Sequence, residues 1–462
     1  MSKRAPARAC RIAVGDLTAP CLRFDLDVAE PIPDIGSSEP FATPKCMWSL
    51  VKMQTEPVGI LMMALPEGGV GKYELVNALT EGLGPALSLR AKGVGATWPR
   101  KDPAAPLDAV GPSRFLTSRA DVLNRGPRIT VAVCTREQPQ GLERCLASLV
   151  TQVYPRFSIL VVDNAPVTTR IKSIVARARS ESIAIDYVVE PRAGLSWARN
   201  RAWQWVPEGI IAWIDDDEVA DRFWLAELAR GFVEHPSAAA VSGIMLPAEL
   251  RTPAQIQFEQ YGGHHKQRGF ATAVFSPLTG AEYSPLFPLP PFGTGGNMAF
   301  RRESLAEIGG FDTALGAGTL SGGAEDTRAF TEVLLDGGTV VYQPTAVTYH
   351  FHRESAEALR RQMFSYGAGL TAYYMSVLMS RPRCLRDVVG LVPRFLNEAL
   401  GSASLRSGDL PAEFPANLRW ANRGGLVTGP FRYLGARVIA RRLDRLVAGT
   451  AERRGSVGES DP

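Results

Sequence analysis

The alternation of apolar and polar positions between residues 128 and 215 predicts the central fold. Four short runs are continuous in apolar residues and predict buried strands: 129–134, 158–162, 183–189 and 209–214. Three segments between them place apolar residues at helical spacing and predict helices: 142–150, 171–178 and 196–206. Strands that alternate with helices in this way predict an α/β fold with a mostly parallel sheet flanked by helices.

The rest of the chain divides by composition into flanking segments. Residues 1–45 are rich in Pro, Ala and Asp and predict a poorly ordered N-terminus. Residues 46–125 predict a small α/β accessory module and linker, with a strand at 58–65, a helix at 75–89 and a proline-rich stretch at 99–112. The main domain is predicted at 126–355. A helical region follows at 356–450, with helices at 359–379 and 388–400, and then a disordered tail at 451–462.

Composition narrows the class of protein. The 462 residues are 45% hydrophobic and 21% charged, which is typical of a globular chain and excludes global disorder. A net charge of only +4 argues against a nucleic-acid partner. The basic start of the chain is followed by no apolar leader segment, and the six cysteines have no zinc-like spacing. These features predict a cytoplasmic protein.

Positive charge is concentrated in residues 419–454, which hold nine arginines and two acidic residues. On a helix, Arg437, Arg441 and Arg445 share one stripe. Ile439, Leu443 and Leu446 share a nearly opposite stripe. This pattern predicts a peripheral contact with an anionic membrane surface, on the inner face of the plasma membrane. The alternative is a solvated helix on the protein surface.

Polar residues follow the predicted strands, where open α/β sheets bind ligands. Thr135, Arg136 and Glu137 follow the first strand, and Asp163 and Asn164 follow the second.

The fourth strand is followed by Asp215, Asp216, Asp217 and Glu218. Adjacent carboxylates repel one another, and hard oxygen donors suit Mg²⁺ or Mn²⁺, which bridge phosphates. A solvated acidic turn is the alternative, and the buried strand that precedes the cluster disfavours it.

Motifs in a fixed order carry a family resemblance. Residues 128 to about 353 resemble the catalytic domain of glycosyltransferase family 2, which has the GT-A fold, and the N-terminal extension suggests an actinobacterial type. The matching segments are 131–136, 145–155, 161–164, 194–200, 215–217, 295–300, 309–312, 322–326 and 349–353.

The resemblance implies inverting transfer of a sugar from a nucleotide-diphosphate sugar to a hydroxyl of a glycan, lipid-linked or small-molecule acceptor. It implies Asp326 as general base with Glu325 beside it, and a divalent metal, Mn²⁺ or Mg²⁺, on Asp215, Asp217 and His350. The implied donor contacts are Thr135, Arg136, Glu137, Asp163, Asn164, Gly194, Ser196, Arg199, Asn200, Asp215 and Asp216. The implied acceptor side comprises Gly295, Gly296, Asn297 and Arg328, the last at a position where the family usually has an acidic residue.

Several residues have structural alternatives. Asp163 could cap the following helix, Glu325 and Asp326 could mark only a helix N-terminus, and Arg199 could lie on the surface. His350 and His352 alternate along a predicted strand, so one of them faces the site, and His350 is the favoured ligand. The pair His264 and His265 has Gly and Lys neighbours, which favours a flexible loop over a metal site.

Two other functions compete with sugar transfer. A sugar-nucleotide nucleotidyltransferase would carry a Gly-rich basic loop after the first strand, and residues 135–139 are not such a loop. A non-catalytic saccharide-binding protein has no need for both the aspartate triplet and the later Glu325–Asp326 pair. The identity of the sugar and of the acceptor stays open.

Overall fold

The computed structural model describes residues 11–36, 44–179, 183–265, 268–276, 284–286, 292–400, 410 and 414–457. The strands are β1 Cys21–Asp27, β2 Cys46–Met53, β3 Glu56–Ala64, β4 Ile129–Thr135, β5 Phe157–Asn164, β6 Ile185–Glu190, β7 Ile210–Asp215, β8 Glu218–Ala220, β9 Ala238–Pro247, β10 Ala273–Phe275, β11 Met298–Arg301 and β12 Thr339–His350. The helices are α1 Lys72–Gly93, α2 Arg114–Arg125, α3 Pro139–Leu149, α4 Arg170–Ala178, α5 Leu195–Trp205, α6 Trp224–Glu234, α7 Pro253–Gln260, α8 Arg302–Glu307, α9 Glu325–Leu335, α10 Ala356–Ser380, α11 Leu385–Leu400 and α12 Ala416–Val457.

The central sheet has the strand order β10-β12-β9-β11-β7-β4-β5-β6, and β8 pairs with β12. Strands β4 to β7 are parallel, as is the pair β9 and β12. All four strands predicted from the apolar runs, and the three helices between them, are confirmed, and so is the α/β class. The second half of the sheet adds antiparallel pairs, since β11 runs against both of its neighbours, β7 and β9.

The strands of the main domain are apolar throughout because both faces of the sheet are covered. Val131 and Val133 of β4 belong to the core on one face, whereas Ala132 belongs to the core on the other. Trp213 of β7 packs edge-on against Phe311 on that second face, with ring centroids 5.4 Å apart. Burial on both sides therefore explains why hydrophobicity does not alternate along these strands.

The N-terminal elements form a three-stranded sheet, β1-β2-β3, with α1 packed on it. This sheet shares a core with the main domain, where Trp48 and Leu50 cluster with Ile244 and Leu246. Strand β1 lies inside the segment predicted to be poorly ordered, and the residues of that segment at 1–10 and 37–43 lie outside the described part. The sequence signal for β1 is weak because its apolar and charged residues are mixed, and its order comes from pairing with β2.

The C-terminal region is helical, as predicted, with α10, α11 and α12 covering the expected segments. Helices α10 and α12 approach closely at glycines: a Cβ at Gly367 would lie 2.0 Å from Asn422 O, and one at Gly425 would lie 2.1 Å from Phe364 O. Of the predicted tail, residues 451–457 continue α12 and residues 458–462 are outside the described part. Among the described helices, none combines the length and apolar character needed to cross a bilayer.

A buried ion pair joins α2, which precedes the main domain, to α6, which lies within it. A variant at this pair measures how much the contact stabilises the fold. Arg119 Nε donates to Glu227 Oε1 at 2.7 Å, and the two side chains are 4% and 0% exposed. We expect Arg119→Ala to lower the free energy of unfolding by about 1.5–3 kcal/mol, because the buried Glu227 loses one of its two cationic partners and keeps Arg230 at 2.7 Å. The measurement is urea denaturation followed by tryptophan fluorescence.

Arg125→Ala on the same helix is the matched control. Its contact with Asp121 is exposed and 3.6 Å long, so removing it is expected to change stability by no more than about 1 kcal/mol. Equal losses in the two variants would contradict the structural role of the buried pair.

Candidate active site

Sheet topology brings distant segments to the carboxyl end of β7. Strand β11 runs antiparallel to β7 with Met298 opposite Trp213, so Gly295 and Gly296, just before β11, lie beside Asp215. Strand β8 pairs with the end of β12 and sets His350 opposite Glu218. The segment before β11 and the end of β12 thus both lie beside the acidic cluster at 215–218.

Each aspartate of the triplet has a different environment. Thr135 Oγ1 donates to Asp216 Oδ2 at 2.6 Å, but burial and the neighbouring Asp217 raise the pKa of Asp216 to about 7. Burial also acts to raise the pKa of Asp217, but His350 and Arg353, 3.5 and 3.4 Å from its Oδ2, outweigh it and lower the pKa to about 2. Asp217 therefore stays ionised, whereas Asp216 takes up a proton more readily than Asp217.

Glu218 is a buried carboxylate that faces this cluster, and the sequence analysis gave it no role. Neither of its Oε atoms has a hydrogen-bond partner among the described residues. Burial and the charge of Asp215 raise its pKa well above the usual value. A Cβ at Gly296 would lie 1.8 Å from Glu218 Oε1 and 2.9 Å from Asp215 Oδ2, so only glycine leaves both oxygens room at this point.

Arg199 is the buried cation of the site. Its side chain is 1% exposed, with Nη1 2.8 Å from Glu325 Oε1 and Nη2 3.3 Å from Asp215 Oδ1. Nη2 also donates to Gly295 O at 3.1 Å. The surface alternative for Arg199 is wrong, because the guanidinium joins α5, β7, α9 and the segment before β11.

Glu325 and Asp326 form the first turn of α9, after Ala324 in the left-handed region (φ 71°). Burial raises the pKa of Glu325 to about 7, against the opposing charge of Arg199. A Cβ at Gly295 would lie 2.8 Å from the Arg199 guanidinium and 3.0 Å from Asp326 Cβ, which places Asp326 next to the buried cation. The pair thus marks a helix N-terminus and also belongs to the carboxylate cluster.

The residues at the ends of β4 and β5 mainly shape the donor side, which is the part of the site where the predicted donor contacts lie. Tyr187 Oη donates to Asp163 Oδ2 at 2.7 Å, and Asp163 Oδ1 has no partner in the described part of the chain. Asp163 does not cap α4, whose N-cap residue is Thr169. Glu137 instead accepts from the backbone N–H groups of residues 167 and 168, both at 2.9 Å, and this lowers its pKa.

The other predicted donor residues hold backbone in place or line the opening. Asn164 Oδ1 accepts from the N–H of Gly194, whose φ of 136° favours glycine. Ser196 Oγ donates to Leu315 O at 2.8 Å, and Asn200 Nδ2 donates to Phe311 O at 2.8 Å. Arg136 is exposed at the end of β4.

The four residues predicted on the acceptor side do not lie together in the structure. Gly295 and Gly296 lie in the carboxylate cluster. Asn297 is fully buried in the sheet, where Nδ2 donates to Ile244 O and Ala346 O, so its side chain faces the core. Arg328 lies two residues after Asp326, about 200° round the helix. It lines a cavity of about 700 Å³ between α9, α10 and α12.

The histidines at the end of β12 do not diverge as their alternation predicts. His352 lies beyond the strand, and its Nδ1 is 2.9 Å from His350 Nδ1. The ring of His264, on the half-buried turn that follows α7, packs 4.5 Å from that of His350, so this turn contacts the histidines at the end of β12. Sequence spacing could not reveal this, because His264 reaches the pair only through the fold.

The donor atoms present fit a divalent metal. Asp215, Asp217 and Glu218 supply hard oxygens, and the buried oxygens of Glu218 lack partners among the described residues. Hard oxygen sets of this kind suit Mg²⁺ and Mn²⁺.

The chain is similar to known proteins over part of its length. A glucosyl-dolichyl phosphate glucuronosyltransferase from Haloferax volcanii is 25% identical over 198 residues, which cover 41% of this chain and 57% of the relative. Succinoglycan biosynthesis protein ExoM from Rhizobium meliloti is 28% identical over 229 residues, which cover 48% of this chain and 66% of the relative. The matches thus span less than two thirds of either relative.

Among solved structures, the mannosyltransferase PcManGT from Pyrobaculum calidifontis in complex with GDP-Man and Mn²⁺ aligns with 20% identity and a TM-score of 0.42, covering 71% of this chain and 81% of that one. Residues 130–309 match the family model described as Glycosyl transferase family 2. The matched range contains β4 to β7, Arg199 and the aspartate triplet. Residues 130–309 are thus similar to glycosyltransferase family 2, the family that the motifs predict.

Proposed function

We propose that this protein is an inverting glycosyltransferase that moves a sugar from a nucleoside diphosphate sugar to an acceptor hydroxyl. The observation that carries the proposal is the convergence of the aspartate triplet, the buried Arg199 and the Glu325–Asp326 pair at one end of β7. A metal-binding cluster alone would suit many ligands. The buried Arg199 and the carboxylates of Glu325 and Asp326 beside it match a sugar transfer. In such a reaction negative charge builds on the leaving group of the donor, and the acceptor hydroxyl loses a proton.

Asp326 is the proposed general base. Direct displacement at the anomeric carbon requires a carboxylate that accepts the proton of the acceptor hydroxyl as the new bond forms. Asp326 lies at the N-terminal end of α9 next to Arg199. Glu325 pairs with that guanidinium, which leaves Asp326 as the carboxylate offered to an acceptor.

The positive charges of the site, from a bound metal ion and Arg199, are proposed to stabilise the leaving group. Asp215 and Asp217 would hold Mn²⁺ or Mg²⁺, which would neutralise charge on the nucleoside diphosphate as it departs. Arg199 is held rigidly by Asp215 and Glu325 and adds a fixed positive charge at the same end of β7. Thr135 and Asp163 lie on the donor side, where the buried Asp163 Oδ1 has no hydrogen-bond partner among the described residues.

The rival functions lack a comparable observation. A nucleotidyltransferase would need a basic loop after β4, but Glu137 in that loop is an acid that caps the neighbouring segment. A saccharide-binding protein would not need a buried Arg199 between two carboxylates.

A membrane is the proposed location of the acceptor. Five large apolar side chains lie on one stripe of α12 and are exposed: Trp420, Val427, Phe431, Leu434 and Val438. Ile439 and Leu446 of the predicted stripe are exposed as well, whereas Tyr433 and Ala436 pack inward against Ala372 of α10. Arg441 and Arg445 extend the same helix with exposed positive charge. Apolar residues beside arginines suit an anionic phospholipid surface, and a lipid-linked acceptor would be presented there.

The first prediction concerns the donor and the metal. In the presence of Mn²⁺, we expect slow release of nucleoside diphosphate from one member of a nucleotide-sugar panel, and release without metal is expected to be negligible. Asp217→Asn should lower the rate at least about a hundredfold, because it weakens the charge that holds the ion. Released nucleoside diphosphate is measured by chromatography.

Asp121→Asn, on the exposed face of α2, is the control and should leave release unchanged. If every donor stays intact and none binds, the transferase assignment fails.

The second prediction separates donor binding from transfer. Asp326→Asn should retain the dissociation constant for the donor within about twofold. It should lose about 10²–10⁴-fold in transfer to the acceptor, because the amide cannot accept the proton. Calorimetry measures the first quantity and product formation the second. Unchanged transfer would remove Asp326 from the role of base.

The third prediction concerns the apolar stripe. Vesicles containing phosphatidylglycerol should carry the protein to the top of a density gradient at low salt, and high salt should weaken the effect. The double change Phe431→Glu and Val438→Glu should abolish flotation, whereas Val110→Glu, at an exposed apolar position far along the chain, should not. Absent or salt-insensitive flotation of the unaltered protein would contradict the membrane proposal.

A further inference from the structure

A cavity of about 700 Å³ lies between α9, α10 and α12, and the proposed sugar transfer makes no use of it. Sites for small molecules enclose about 300–1,000 Å³, so this cavity has the size of a ligand site. Arg328 and Asp326 leave α9 about 200° apart, so the cavity and the proposed base lie on different sides of that helix. The lining is charged, with four arginines and two carboxylates: Arg328, Arg381, Arg383, Arg437, Asp312 and Glu332.

Two of the arginines are paired with acidic side chains. Glu332 forms ion pairs with both Arg328 and Arg381. Arg381 Nη2 also lies 2.7 Å from Asp336 Oδ1. Arg328 Nη2 donates in addition to Ser380 Oγ at 2.6 Å. Two carboxylates thus balance these two guanidinium groups and hold them against the wall of the cavity.

Asp312, the second carboxylate of the lining, is held by neutral donors. Its Oδ2 accepts from Ser376 Oγ at 2.6 Å and from Tyr433 Oη at 2.8 Å. Its Oδ1 accepts from the backbone N–H of Ala314 at 2.9 Å. Both oxygens of Asp312 are therefore occupied without an arginine among the described residues.

Arg383 and Arg437 are the remaining cations of the cavity. In the part of the chain that the structure describes, neither forms an ion pair with a carboxylate. Arg437 Nη1 donates to Met379 Sδ at 3.3 Å, and a thioether sulfur is only a weak acceptor. Arg383 lies in the turn between α10 and α11 and is exposed. Two guanidinium groups of one cavity thus have donors available for an anion.

Exposed apolar side chains adjoin these arginines. Met379 lines the cavity and is 45% exposed, and Leu385 begins α11 just after the turn and is 54% exposed. On α12, Leu434 and Val438 are exposed on either side of Arg437 along the chain. A ligand with an anionic head and an apolar tail matches this arrangement.

We propose that Arg383 and Arg437 bind a phosphate monoester in this cavity. Such a group has three terminal oxygens and nearly two negative charges at pH 7, so it can accept from both guanidinium forks. The apolar neighbours suit a lipid as the carrier of the phosphate, and a soluble phosphate ester is the other source of the same chemistry. The bound phosphate joins the turn after α10 to α12 and takes no part in the proposed sugar transfer.

Calorimetry on the full-length protein, with neither metal nor nucleotide sugar, tests the site and the source of the phosphate. The probes are glycerol 3-phosphate and the short-chain lipid dihexanoyl phosphatidic acid, used below its micelle concentration. We expect one equivalent of each to bind, and the lipid to bind at least about tenfold more tightly, because its chains cover exposed apolar residues. Equal affinities would support the phosphate site and assign it a soluble ester. Binding of neither probe would overturn the proposal.

Variants assign the binding residues. Arg383→Ala and Arg437→Ala should each weaken the binding of glycerol 3-phosphate at least about tenfold, because each removes a charge-assisted contact. Arg437→Lys should fall between Arg437→Ala and the unaltered protein, since an ammonium keeps the charge but lacks the fork. Arg442→Ala, at an exposed position of the same helix outside the cavity, is the matched control. Equal affinity in the two alanine variants and the control would overturn the proposal.

A last comparison separates this site from the proposed donor site. Asp217→Asn should bind glycerol 3-phosphate as the unaltered protein does, and so should the unaltered protein in the presence of Mn²⁺ with UDP and GDP. Loss of binding in either case would place the phosphate at the donor site and overturn the proposal. If every nucleotide sugar stays intact while glycerol 3-phosphate still binds, only the proposed transferase activity is contradicted.

Discussion

Mutual repulsion among four consecutive carboxylates, at the end of a buried strand, is the constraint to which the rest of the site responds. Asp215, Asp216 and Asp217 are half-buried and Glu218 is buried where β7 ends, so a partner or a proton stabilises each of these carboxylates. Arg199 faces Asp215, Thr135 donates to Asp216, and His350 with Arg353 faces Asp217. These partners come from three different segments, and their need to meet the cluster explains why those segments converge.

Arg199 links the halves of the site. Because it contacts both Asp215 and Glu325, it ties the end of β7 to the first turn of α9. The proposed leaving-group side and the proposed base side thus share one buried guanidinium. A charge held in this way needs little reorganisation when a substrate binds, which is the physical basis of electrostatic preorganisation.

The peripheral parts of the chain support the same edge of the sheet. Lys52 of β2 contacts Asp221 at 2.8 Å and Tyr349 Oη at 3.3 Å, so the N-terminal sheet braces the segments that carry Asp217 and His350. At the other side, Arg192 pairs with Asp444 at 2.8 Å and ties α12 to the loop after β6. This ion pair connects the helix that carries the apolar stripe to the proposed donor side.

The sequence by itself determined the α/β class, the order of β4 to β7, and the positions where polar residues leave the strands. These features are local: burial of a strand on both faces is encoded in its own apolar run. Only the tertiary structure decided that Asn297 faces the core, that Glu218 is buried without a partner among the described residues, and that Tyr433 and Ala436 are on the face of α12 that packs inward. It also decided that His264 meets His350 and His352. Such contacts depend on segments far apart in the chain, and no local periodicity encodes their packing.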